Sequence, residues 1–148
     1  MFVLIAIFLF LFLIFALGFL KKTNQKSFSK CVEINKKIIK VELANTIFKR
    51  AKGLSGRPSL AQDEGMLFIF SDYAQHPFWM KEMNFSLDII WLRDKEIVDI
   101  SQNISPETFP QSFAPKVPVN YVLEVKADFS KENNIKIGQM VSYLDCQK

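Results

Sequence analysis

Asp88 stands between Leu87 and Ile89 in a run of residues that is otherwise apolar. A carboxylate taken into such surroundings must find partners or give up its charge, because an isolated buried ion is costly. Arg50, Arg57 and Lys81 are the cations that could serve it. Two readings follow: an acid or ligand contact in a pocket, or a structural carboxylate that pairs with a cation or caps backbone N–H groups. Structural networks perturb carboxylates as readily as active sites do, and the second reading is preferred. Glu124 is a further acid in an apolar stretch, Tyr121-Val122-Leu123-Glu124-Val125, and is expected to line the same cavity as Asp88.

Arg50 and Arg57 lie seven residues apart, which places them on one face if a helix continues between them. Two guanidinium groups together could hold a carboxylate or phosphate in bidentate fashion, and Gly53 and Gly56 between them could offer backbone N–H groups to the same anion. The alternative is that the arginines pair with Asp88, Glu124 or Asp63. His76, Met80 and Met83 form a His-x3-Met-x2-Met pattern with ligands that suit Cu(I). Met80 and Met83 would point to opposite faces of a strand, however, and methionine is a routine core filler. No metal or cofactor is therefore expected. Trp79 and Trp91, with Phe78 and Tyr73, could form an aromatic platform, although buried indoles more often belong to a core.

The candidate pocket is accordingly Arg50, Arg57, Trp79, Met80, Lys81, Asp88 and Glu124, with Trp91 completing its wall. Cys-x-x-Cys pairs, nucleophile elbows and phosphate-binding glycine loops are missing from the sequence, so no catalytic set is recognisable. A binding module is preferred over an enzyme. The enzyme alternative uses Asp88 and Glu124 as an acid/base pair, which requires a carboxyl separation suited to the reaction. A third reading is an assembly partner that makes contact through residues 101–118, where four of the six prolines lie.

The elements that must carry these residues are mostly strands. Residues 32–34 and 38–43, with polar Asn35-Lys36-Lys37 between them, read as a hairpin. Residues 46–54 read as a helix capped by Asn45 or Thr46, with Ile47, Phe48, Ala51 and Leu54 recurring at helical spacing. Residues 65–70 are apolar throughout, as in a strand buried on both faces. Further strands are expected at 77–81, 87–92, 96–100, 119–127 and 139–144, with a helical turn at 129–134 and a long loop at 101–118. The fold class is mainly β: a barrel or sandwich of seven or eight short strands with one or two short helices. Aromatic burial dominates core energetics, so most of the fifteen phenylalanines are expected to be structural.

Residues 2–20 are nineteen consecutive apolar residues. A helix of that length spans roughly 28 Å, about the hydrocarbon thickness of a bilayer. The organisation expected is a transmembrane anchor or signal segment over 1–20, a basic polar tether over 21–30 and a domain over 31–148. Only the α-amino group precedes the run, and the stretch is long for a signal peptide, so an uncleaved single-pass anchor is preferred over secretion after cleavage. Lys21, Lys22, Lys26 and Lys30 follow without an acid among them. From Cys31 onward fifteen basic side chains balance fifteen acidic ones. A nucleic-acid binder would carry a basic face on the domain itself, so that class of partner is excluded. Unidentified small molecules or envelope proteins remain as partners.

Cys31 and Cys146 mark the two ends of the domain and could form one disulfide in an oxidising compartment; two free thiols in the cytosol are the alternative. Lysines directly after a first segment favour a cytosolic domain, whereas cysteine usage points outward. The pieces Arg50, Gly53-Leu54, Arg57, Gly65-Met66-Leu67-Phe68, Phe78-Trp79-Met80-Lys81, Leu87-Asp88-Ile89-Ile90 and Val122-Leu123-Glu124 resemble the domain of unknown function 192 family in order and spacing. Ser86 and Asp128 depart from the proline and glycine of many relatives. The resemblance implies a compact, mostly β domain that is commonly exported or anchored, which favours an extracytoplasmic location. It implies no particular activity or catalytic residue.

Overall fold

The computed structural model describes residues 28–146. The apolar run over 2–20 and most of the tether lie outside the described residues. Among the described residues no helix is long and apolar enough to cross a membrane.

The chain is mainly β. Seven strands form one sheet in the order β6-β5-β8-β3-β2-β1-β9: β1 (Lys30–Ile34), β2 (Lys37–Ala44), β3 (Glu64–Ala74), β5 (Leu87–Arg93), β6 (Glu96–Ile104), β8 (Val119–Lys126) and β9 (Val141–Asp145). A two-stranded ribbon pairs β4 (Phe78–Trp79) with β7 (Ser112–Phe113). Two short helices, α1 (Ile47–Lys52) and α2 (Phe129–Glu132), complete the fold. The β1–β2 hairpin turns on Asn35 and Lys36, both at positive φ, the backbone geometry that tight hairpins require. All neighbours in the large sheet are antiparallel except β2 and β3, which run parallel around a crossover containing α1.

The sheet curls until its edge strands touch. Ile97 N donates to Gln139 O (2.9 Å), Gly138 N to Ile97 O (2.8 Å) and Val141 N to Lys95 O (2.8 Å). This partial barrel leaves neither face of the central strands in water. On the enclosed face Val32, Ile39, Leu67, Ile90, Leu92, Leu123 and Val125 pack with Ile97 and Val141 of the edges, and Phe129 and Ile135 join them. On the other face Met66, Phe68, Ile89, Trp91 and Val122 are covered by Leu54, Leu60 and Met80. Alternate residues of β3, β5 and β8 serve two cores, which is why these strands read as unbroken apolar runs.

Several expectations change here. The strand expected over 77–81 shrinks to Phe78–Trp79, and the loop expected over 101–118 contains the end of β6, a 3-10 turn at Pro106–Thr108 and β7. The helix after Thr46 forms as capped, with Thr46 Oγ1 accepting from Lys49 N (3.3 Å), but its apolar residues do not face the core. Ile47 is 74% exposed and Phe48 86%. Gly53, at φ 49°, ends the helix after six residues, so Leu54 reaches the core from the following loop rather than along a helical stripe.

Candidate functional site

Strand register decides where the two buried acids go. In the β5–β8 pair Asp88 lies opposite Val125, and Ile89 opposite Glu124. Side chains alternate across a strand, so Asp88 shares the enclosed face with Val125, and Glu124 shares the other face with Ile89. The expectation that they line one cavity fails on this parity. The acid/base pair fails with it, because the sheet stands between the two carboxyl groups.

Asp88 is fully buried and its oxygens are taken up by backbone. Oδ1 accepts from Asn103 N (2.8 Å) and Asp128 N (3.3 Å), and Oδ2 from Ser130 N (2.8 Å). None of Arg50, Arg57 or Lys81 is its partner. This is the backbone-capping role, holding the end of β6 and the first turn of α2 to β5.

Glu124 looks onto a cavity of about 250 Å³ between the α1–Ser55 segment and the chain from His76 to Trp79. Phe68 and Phe70 line it with Glu124. Arg50 enters from α1, with its Nη1 donating to Ile69 O (2.9 Å) and its guanidinium 5.1 Å from the centre of the Phe70 ring. The Phe70 ring stacks on His76 with centroids 3.6 Å apart. Trp79 stands at the mouth, 58% exposed. Glu124 is buried, and its Oε2 has no hydrogen-bond partner. Burial pushes its carboxyl up to about 8, while the charge of Arg57 pulls weakly the other way. At neutral pH the group is therefore protonated and able to donate.

Of the residues expected to form one pocket, Arg50, Trp79 and Glu124 come together. Arg57 lines a larger cavity of about 500 Å³ on the other side of Gly53 and holds Glu42 with two bonds (2.6 and 2.7 Å). Asp63, offered as its partner, pairs with Lys40 (2.8 Å). Met80 is a core residue, and Lys81 is exposed. Trp91 is fully buried, its Nε1 donating to Ser101 Oγ (3.1 Å), so the aromatic platform reduces to Trp79 and Phe78. His76 and Met83 do line the Glu124 cavity, but Met80 does not join them, so the three-ligand Cu(I) pattern does not assemble there. Phe70 was not among the expected site residues. Its only sequence signal is position, at the end of an apolar run where burial begins to fade.

Cys31 and Cys146 form a disulfide that joins β1 to the residue after β9. It closes a loop with a sequence separation of 115.

The family model described as "Uncharacterized ACR", domain of unknown function 192, matches residues 30–143. Two solved structures are similar. One is a Sinorhizobium meliloti 1021 protein provisionally named a transcription regulator, with 29% identity, a TM-score of 0.73, and coverage of 80% of this chain and 97% of that one. The other is a protein of unknown function from Novosphingobium aromaticivorans DSM 12444, with 29% identity, a TM-score of 0.71, and coverage of 77% and 83%. No curated protein matches the chain.

Proposed function

The chain belongs to the domain of unknown function 192 family, and on that footing we propose that it is a membrane-tethered module that binds a small carboxylate ligand. One observation carries the reading: the buried Glu124 Oε2, without a hydrogen-bond partner, on a residue in the wall of a cavity that also holds Arg50. A protonated Glu124 and a guanidinium both donate, and donors converge on an acceptor-rich anion. Phe70, Phe78 and Trp79 supply apolar surface for the rest of the molecule. At about 250 Å³ the cavity suits a ligand smaller than most drugs.

Benzoate is the probe to use, with benzyl alcohol and benzylamine as neutral and cationic comparators, titrated into the full chain in detergent and followed by tryptophan fluorescence. Benzoate should bind best. Its affinity should fall tenfold or more above pH ~8, as Glu124 loses its proton and faces a like charge. Arg50→Ala should weaken it by about tenfold or more, the worth of a charge-assisted hydrogen bond. Glu124→Gln should bind without that pH dependence. Equal binding of benzylamine, or indifference to Arg50→Ala, would remove the carboxylate reading.

Residues 2–20 supply the membrane anchor in this proposal, and the disulfide favours an oxidising, extracytoplasmic side for the domain. Protease added to intact cells should then digest the domain and spare the anchor; protection of the domain would place it in the cytosol.

A further inference from the structure

Adjacent large apolar residues held in water on a rigid element call for an occupant. Ile47 and Phe48 are 74% and 86% exposed, and α1 is not free to fold them away. Thr46 caps its first turn, and Arg50 fastens its inner side to Ile69 O. The helix carries Lys49, Arg50 and Lys52 and no acid. Phe48, Lys49 and Lys52 line the cavity of about 500 Å³ together with Ser29, where the chain arrives from its N-terminal segment. Glu42 in that cavity is paired with Arg57.

We infer that α1 docks on the bilayer that holds residues 2–20, with Ile47 and Phe48 entering the headgroup region and Lys49 and Lys52 meeting anionic phosphates. The inference rests on the tethering proposed above. Eight residues, 21–28, separate the apolar run from Ser29, and fully extended they reach at most about 28 Å. The domain is therefore held at the lipid surface, and the side bearing Ser29 and Phe48 is the one the tether draws in. Aromatic and aliphatic residues beside lysines are the composition that binds at such an interface. The lysines of the tether add attraction to the same lipids.

The test uses the full chain with Trp79→Phe, reconstituted into phosphatidylcholine–phosphatidylglycerol vesicles whose acyl chains are brominated or not. Buried Trp91 remains as a constant background and a check on folding. Three probes are compared: Leu11→Trp in the apolar run, Phe48→Trp in α1, and Ile137→Trp. Ile137 is 58% exposed and precedes Val141, which pairs with Ile34 at the end of β1 far from Ser29. Bromine should strip about half or more of the added emission from Leu11→Trp and Phe48→Trp, since interfacial side chains sit roughly 5–10 Å into the boundary, and little from Ile137→Trp. Replacing the anionic lipid with phosphatidylcholine alone should weaken the Phe48→Trp quenching and leave Leu11→Trp unchanged.

Quenching of Leu11→Trp without Phe48→Trp would overturn the docking and leave the tether standing. No quenching of Leu11→Trp would remove the tether and the docking with it. Blue-shifted but unquenched emission from Phe48→Trp would mean that protein covers the residue, either a second copy or another part of this chain, and would also overturn the proposal.

Discussion

Asp88→Ala is expected to destabilise the folded domain by about 4–6 kcal/mol, the lower part of what three backbone donors would lose with an acceptor worth roughly 1.5–3 kcal/mol to each. The loss is concentrated because the three donors come from two separate segments, Asn103 at the end of β6 and Asp128 and Ser130 at the start of α2. Without the carboxylate, the buried Ser130 N–H has no water to turn to, whereas the donors of Asn103 and Asp128 belong to exposed residues and lose less. Asp88→Asn separates hydrogen bonding from packing. It preserves volume but turns an amide N–H₂ toward a backbone donor, and should still cost about 2–4 kcal/mol. Urea unfolding of both variants measures the difference. If Asp88→Ala unfolds within about 1 kcal/mol of the parent, where unremarkable substitutions fall, the anchoring role is wrong.

The sequence makes Asp88 conspicuous but hides its destination. An acid amid Leu87, Ile89 and Ile90 must be paid attention by some donor, and a capping role is legible as one of two outcomes. The donors themselves lie 15, 40 and 42 residues away, and only the closed sheet brings them to one place. Glu124 shows the same limit. Both acids sit in apolar strands, and no local signal says that they face opposite ways; that follows from the β5–β8 register. The partner of Arg57 was hidden by the parallel β2–β3 pairing, a long-range contact that places Glu42 opposite Met66. The elements themselves were easier to read, because strand periodicity and turn residues act locally. Even so, the helical spacing of Ile47, Phe48, Ala51 and Leu54 does not become one apolar stripe. The positive-φ Gly53 cuts the helix before that stripe can form, and leaves Phe48 in water.

Glu124→Gln is expected to stabilise the domain at alkaline pH and to change little at pH 4. The folded carboxyl, near 8, holds its proton more tightly than the ordinary carboxyl at 4.5. Below the ordinary value both folded and unfolded chains are protonated there, and the group adds no pH slope. Between the two values the unfolded chain has released a proton that the folded chain keeps. Stability then falls by about 1.4 kcal/mol per pH unit. Across the whole window the loss reaches roughly 3–5 kcal/mol, and above it the difference levels off because both states are ionised. Glutamine cannot ionise, so the variant escapes this slope, and its advantage over the parent should grow from pH 4.5 to 8 and then stay constant. Urea midpoints of the two proteins at pH 4, 6, 7 and 9 test the shape of the curve as well as its size. Parallel profiles would mean that Glu124 ionises normally, and the donor assigned to the ligand cavity would go with it. A rising difference would identify a carboxyl group that the fold holds neutral at a cost, and that a bound carboxylate, by sharing its proton, would hold neutral more firmly still.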